Sequence, residues 1–379
     1  MKNQEPLKPI KPNLQLVQKA EDFKSQAYLL HPVVDPLMMG GLSLVFFVAM
    51  HFFVDPSAST YKLSWVMFVM SMVVNFPHFM ASYVLMYRDY RKEILSNWKF
   101  TWAGLIAPVA LGTSMAAFTY YSVSTGSHKT LGYLPSLMYL LVGHHYVKQI
   151  YGCVMVSSAK AKFYFSPLES KALWVTMYSV WMMSFLSFNS YTVNTHNFYG
   201  ISYSTLGLGK IWLTLVNLAT AVSVVAFLAT MVKRYVTDGR IMPLSAWTAI
   251  VSIFVWYIPS FYHQHYFYMI PFFHSLQYLL FSSVFAKNKA LDLSRVHEDG
   301  PRQRASFLKN LGTFFGLTIV TGLLAWHYIP SHLDSLGLVS NVLGPTFFMF
   351  SFQIFLNIHH YIMDNVLWRK ENLQIKKYL

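Results

Sequence analysis

Apolar residues run through this chain in long stretches separated by short polar ones. Ten stretches read as helical spans: 36–54, 62–87, 101–121, 131–157, 171–188, 208–232, 243–261, 266–286, 306–329 and 339–368. Apolar runs of about eighteen residues or more are the signature of a membrane-crossing helix. The fold class expected is therefore all-α, a polytopic transmembrane helix bundle of about ten spans. Pro259 and Pro271 interrupt the seventh and eighth spans, and His263-Gln264-His265 falls at the turn between them. Residues 1–35 form a cytoplasmic N-terminal segment, 36–368 the bundle and 369–379 a cytoplasmic tail. In the first segment Leu16, Ala20, Phe23 and Ala27 recur at helical spacing, which fits either a short amphipathic helix on the membrane surface or a mobile tail. Lys2, Lys8, Lys11, Lys19 and Lys24 are spread through it without an apolar core and cleavage site, so it does not read as a signal peptide.

Composition agrees with the pattern. The chain is 55% hydrophobic and only 12% charged, too apolar for a soluble domain of 379 residues. Its net charge of +14 invites a nucleic-acid partner, but the bases are distributed otherwise. With the N-terminus in the cytoplasm, the cytoplasmic segments take nearly all of them, among them Arg88, Arg91, Lys92, Lys160, Lys233, Lys287, Arg302 and Arg369. The outer segments take only Lys62, Lys129 and Lys210, and Lys148 lies within a span. That bias orients an integral membrane protein with both termini cytoplasmic. It assigns the bases to anionic lipid headgroups of the bilayer rather than to nucleic acid. The single Cys153 excludes an internal disulfide and any multi-cysteine metal site. No His-Glu-x-x-His is present, and Gly40-Gly41 and Gly312 read as points of close helix packing.

Polar residues inside the spans carry the chemistry. His359-His360 with Asp364 and His144-His145 with Gln149 each place an i,i+4 polar pair on one helix face. His78 has Asn75 three residues before it, His274 has Gln277 three after it, and His360 has Asn357 three before it. Counting to the next cytoplasmic base, His78, His145, His274 and His360 lie roughly 14–22 Å deep at 1.5 Å per residue. Four helices thus bring histidine to one layer. A single intramembrane histidine is often interhelical hydrogen-bond glue. Four at one depth point to a site, because ionisable groups there are costly. No Asp or Glu lies deep in a span, which argues against a carboxylate-driven proton path. Imidazole suits iron, zinc and copper, and paired helix histidines also suit haem. His78, His145, His274 and His360 are the preferred ligands, with His144, His359 and His31 in reserve. Neighbours in sequence stand about 100° apart on a helix, so only one of each pair should reach a given ion. Asp364, Gln149, Gln277, Asn75 and Asn357 are expected to brace the imidazoles or assist them. Tyr146, Tyr278 and Tyr361 are expected to line the site, while His128, His196, His297 and His332 belong to solvated loops.

Ligand type, side and depth together resemble the His-rich integral-membrane non-haem iron enzymes, whose histidines at cytoplasmic helix ends hold iron that activates oxygen. The His-x-x-x-His and His-x-x-His-His boxes of the desaturases and hydroxylases are absent. One histidine, or an adjacent pair, per helix is more similar to membrane carotenoid-cleaving oxygenases, where single histidines from different helices bind one iron. The resemblance implies a non-haem iron oxidoreductase acting with O₂ on a lipid-soluble substrate, with an electron donor among its partners. Two other readings stay open: a haem-binding electron-transfer protein using two of these histidines axially, and a transporter with a His-lined midplane pathway.

Overall fold

The computed structural model describes residues 27–53, 60–190, 192–261, 264–267, 269–297 and 299–379. The expected amphipathic N-terminal helix and His263 lie outside the described residues, as does the side chain of His265. The chain is mostly helical. Its long helices are α1 (Val34–Phe53), α2 (Thr60–Val84), α3 (Trp98–Thr125), α4 (Tyr133–Lys160), α5 (Pro167–Asn189), α6 (Lys210–Asp238), α7 (Leu244–Ser260), α8 (Ile270–Ser294), α9 (Gly300–Ser335) and α10 (Phe347–Leu367). A last short helix, α11, covers Leu373–Tyr378. Each apolar stretch of the sequence therefore coincides with a helix.

Of the two prolines, Pro271 falls where a helix tolerates it, and Pro259 stands inside α7 and removes one backbone bond. Pro271 sits in the first turn of α8, whose N–H groups have no intrahelical partner, and Pro259 in the last turn of α7. Ser166 and Glu169 start α5 with a reciprocal capping box, followed by Pro167 at the first helical position.

Five segments are long and apolar enough to cross a membrane: Val34–Phe53, Val69–Asp89, Trp98–Thr125, Lys210–Asp238 and Gly300–Ser335. They point to a membrane protein. Among the helices that fall short on composition, α4, α8 and α10 carry the buried histidines and their polar neighbours, which lower their hydropathy. On α6 the usual soluble pattern is inverted. Leu218, Val222, Val225 and Val232 are each more than half exposed along one face. Thr220 and Ser223 are buried on the other, and Ser223 Oγ meets Ser179 Oγ of α5 at 2.9 Å. An apolar outside over a partly polar inside is the arrangement lipid tails require.

Two glycines mark close approaches. A Cβ on Gly40, whose φ is +156°, would stand 2.2 Å from the Thr248 carbonyl of α7. One on Gly322 of α9 would stand 3.0 Å from the Phe76 backbone of α2. Gly312, expected at a close contact, has open space around it.

The all-α expectation misses one feature. Thr195–Phe198 and Ile201–Ser204 form an antiparallel hairpin. Its turn residues Tyr199 and Gly200 both have positive φ, as a tight two-residue turn matching strand twist requires. Helices α2, α4, α8 and α10 meet at the centre of the bundle, and the histidines lie there.

Candidate metal centre

Four helices deliver one imidazole each: His78 from α2, immediately after Pro77; His145 from the middle of α4; His274 one turn into α8; and His360 from α10. All four are buried. The rings form a closed square in the order 78, 274, 145, 360. Neighbouring centroids are 4.8, 4.8, 5.1 and 4.6 Å apart, and each ring stands nearly perpendicular to the next, at 90°, 77°, 75° and 81°. One nitrogen from each ring lies within 4.8 Å of the others. Nε2 of His78, His145 and His360 and Nδ1 of His274 are buried without a hydrogen-bond partner.

The opposite nitrogen of two rings is held by a serine. Ser275 Oγ donates within its surroundings, to Asn75 Oδ1 (2.7 Å) or the Pro271 carbonyl (2.6 Å). Its oxygen then accepts from His78 Nδ1–H at 3.1 Å. Ser82 Oγ donates to Asp364 Oδ1 (2.7 Å) and accepts from His360 Nδ1–H (2.9 Å). Both bonds place the proton on Nδ1 and leave the Nε2 lone pair facing inward, the tautomer a cation needs. Asp364 Oδ1 also accepts from the Tyr278 hydroxyl (3.0 Å), which in turn receives Trp368 Nε1–H (2.9 Å). With Oδ1 so occupied, Oδ2 lies 3.2 Å from His360 Nε2 and 3.8 Å from His145 Nε2.

The other sequence candidates fall into different environments. The Asn75 side chain reaches His78 through Ser275, while the Asn75 backbone bonds the His78 ring directly. Gln149 Nε2 donates to the His274 backbone carbonyl (2.9 Å) and to Gln277 Oε1 (3.1 Å), and Gln277 Nε2 donates to the Met39 carbonyl (2.6 Å). These amides tie α4 to α8 and α8 to α1, and they brace backbone rather than imidazole. Asn357 Nδ2 donates to the Gln353 carbonyl of its own helix (2.8 Å). His144 lies between two hydroxyls, Tyr178 at Nε2 and Tyr361 at Nδ1, both 2.9 Å away. His359 donates through Nε2 to the Ala103 carbonyl (2.9 Å) and accepts the Tyr83 hydroxyl at Nδ1 (2.8 Å). Both reserves therefore have each nitrogen satisfied outside the square. His31 is exposed, and its Nδ1 accepts from the Val33 N–H (3.2 Å). Tyr146 packs its ring 4.4 Å from His274 and Tyr278 4.7 Å from His78, whereas Tyr361 approaches His145 at 5.9 Å.

No family model, no curated protein and no solved structure matches this chain. Its chemistry is read from the square alone. A buried group of four histidines, His78, His145, His274 and His360, can hold a metal ion. The donor set fits one: each of the four rings has a buried nitrogen without a partner, and such an atom costs about 1–3 kcal/mol. Ser82, Ser275 and Trp368 are hydrogen-bonding neighbours of the square that spacing did not single out. The one available signal was Ser82, four residues after His78 and hence on its helix face.

Proposed function

We propose that this chain is a membrane-embedded oxidoreductase in which His78, His145, His274 and His360 hold a single iron ion, acting with O₂ on a lipid-soluble substrate. The observation that carries the reading is the set of four buried imidazoles with unpartnered nitrogens, one ligand nitrogen from each lying within 4.8 Å of the others. Bound there, iron would supply one-electron chemistry and oxygen activation. The residues themselves do the rest. Ser275 and Ser82 fix the protons of His78 and His360 on Nδ1. Asp364 offers a negative oxygen beside the nitrogens, a hard donor that suits iron better than copper. Phe79, 6% exposed, packs 4.5 Å from His78 and 4.6 Å from His360, and with Trp326 and Tyr146 it excludes water from the square. Rings packed 4.6–5.1 Å apart leave no slot for a porphyrin plane between them, which favours an ion over haem.

The reading also takes the bundle as ten crossings with both termini cytoplasmic, supported by the loop charge bias. Elemental analysis of the detergent-purified protein tests it. About one iron per chain is expected, with no Soret band, and His78→Ala and His274→Ala should remove it. A metal-free protein, or a Soret band, would overturn the reading.

A further inference from the structure

A cleft of about 800 Å³ opens on the flank of the bundle beside the histidine square. Its apolar wall is formed by Met80 and Val84 of α2 and Leu317 of α9, two helices long and apolar enough to cross a membrane. Along α2 and its continuation to Asp89, Met80, Tyr83, Val84 and Tyr87 share the face that lines it, and His78 and Ser82 lie on the opposite face. Tyr83 lines the cleft, and its hydroxyl bonds Nδ1 of His359, the residue before His360 (2.8 Å). Met80 lines it too, and the preceding Phe79 packs against His78 and His360. Tyr83 therefore stands between the cleft and α10.

The rim is charged. Arg88 and Lys289 both neutralise Asp89, at 2.6 and 3.3 Å, so neither that acid nor Arg88 is free. Arg91 and Lys92 also line the rim and are exposed, and among the described residues neither enters a salt bridge. Against these two cations the rim sets one further acid, Glu93. Among the residues that line the cleft, Arg88, Arg91 and Lys92 outnumber Asp89 and Glu93 by one positive charge. Met80 lies eight residues before Arg88, about 12 Å deeper along the helix.

A pocket with an apolar wall, a cationic mouth and a volume in the range that holds one small ligand fits one chemistry. We propose that this cleft binds a single-chain anionic amphiphile, a long-chain carboxylate. Its head group pairs with Arg91 and Lys92, and its chain lies along Met80, Val84 and Leu317. In its purpose this rests on the oxidoreductase reading, since it names the substrate class. The binding itself needs no metal.

The test uses the intact protein in neutral detergent and a long-chain fatty acid bearing a photoreactive diazirine near its apolar end. Crosslinks should map to α2 and to the neighbourhood of Leu317. Unlabelled fatty acid should compete, and a quaternary ammonium of equal chain length should not. The double variant Arg91→Gln/Lys92→Gln should weaken labelling about tenfold or more, the loss expected for charge-assisted bonds. Leu317→Trp should block labelling by filling the cleft. Both variants should keep the metal content of the parent, while His274→Ala should lose metal yet retain labelling. Unchanged labelling in the double variant and in Leu317→Trp would overturn the inference and leave the metal centre standing. Equal competition by the ammonium, or competition by a two-chain phospholipid alone, would also overturn it. Specific labelling of a protein that never holds metal would overturn the oxidoreductase reading and leave this site in place.

Discussion

Asp364 Oδ2 lies 3.2 Å from Nε2 of His360, one helical turn away on α10, and that nitrogen has no hydrogen-bond partner. The carboxylate is aimed rather than free, because Ser82 and Tyr278 both hold Oδ1. Replacing Asp364 by Asn keeps the shape and removes the charge beside the nitrogens. Metal affinity should fall roughly 10–100-fold, with the protein still folded. Titration of the metal-free variant with Fe(II) checks this. An affinity equal to that of the parent would make Asp364 a purely structural anchor. His360→Ala should cost far more, since it removes one of the four inward nitrogens.

Ser82 and Ser275 act on the site through hydrogen positions. Ser275→Ala leaves the His78 ring the Asn75 backbone alone, and Ser82→Ala frees His360 Nδ1, so each ring can more readily adopt the tautomer that turns N–H toward the centre. Each variant should lose metal affinity by about one order of magnitude while reaching the same stoichiometry at saturation. Ser→Thr at either position, which restores the hydroxyl, should recover most of the loss. A thermal shift without any change in affinity would show that the serines only pack.

What could be read from the sequence follows from cost. A histidine in an apolar run is conspicuous because burying it is expensive, so the four helices of the square stood out. The serines did not, because a lone serine in such a helix commonly bonds its own backbone, as Ser275 does to Pro271. Spacing alone did not show which partners Asn357, Gln149 and Gln277 take. An i,i+3 or i,i+4 relation places a group on the same face as a histidine but does not make it touch the ring. Asn357 bonds its own helix instead, and the two glutamines bond backbone of other segments. The hairpin at 195–204 is too short for a periodic pattern to announce it.

Orientation is open to direct measurement. Reporter fusions at the C-terminus and within residues 189–207 should report opposite sides of the membrane. Signals from the same side would defeat the ten-crossing reading. In the same set, His196→Ala and His332→Ala should leave metal content unchanged, because neither belongs to the square.

The C-terminal helix offers a pH readout outside the spans. Asp292, at the end of α8, accepts Lys377 Nζ (2.6 Å) and the Tyr378 hydroxyl (2.9 Å) from α11. The bond from Lys377, then that from Tyr378, holds the Asp292 carboxyl below its ordinary value. A depressed carboxylate contributes above its unfolded pKa, near 3.9, and that contribution is lost as pH falls through the folded value. Hydrogen exchange in residues 373–379 should therefore be slow and constant from neutral pH down to about pH 5 once corrected for intrinsic rates. It should accelerate in more acid solution, and Asp292→Asn should exchange fast throughout. Protection in the variant equal to the parent would show that α11 is held by packing alone.

The contact between α9 and α2 bears on the metal centre from behind. Gly322 meets the backbone of Phe76, two residues before His78, and a Cβ there would come within 3.0 Å of the Phe76 carbonyl carbon. Backbone cannot yield as a flexible side chain can, so Gly322→Ala forces the helices apart. Overpacking of this kind costs typically 1–3 kcal/mol. The displacement would be delivered to Pro77 and His78, where the helix already lacks one backbone bond. The expected result is a lower unfolding temperature together with weaker metal binding. Gly312→Ala serves as the control, since Gly312 has nothing within 4 Å and lies on the same helix. It should match or slightly exceed the parent in stability, as alanine favours helix by up to about 1 kcal/mol over glycine. Equal behaviour of the two variants would mean that α9 does not press on α2 at Phe76.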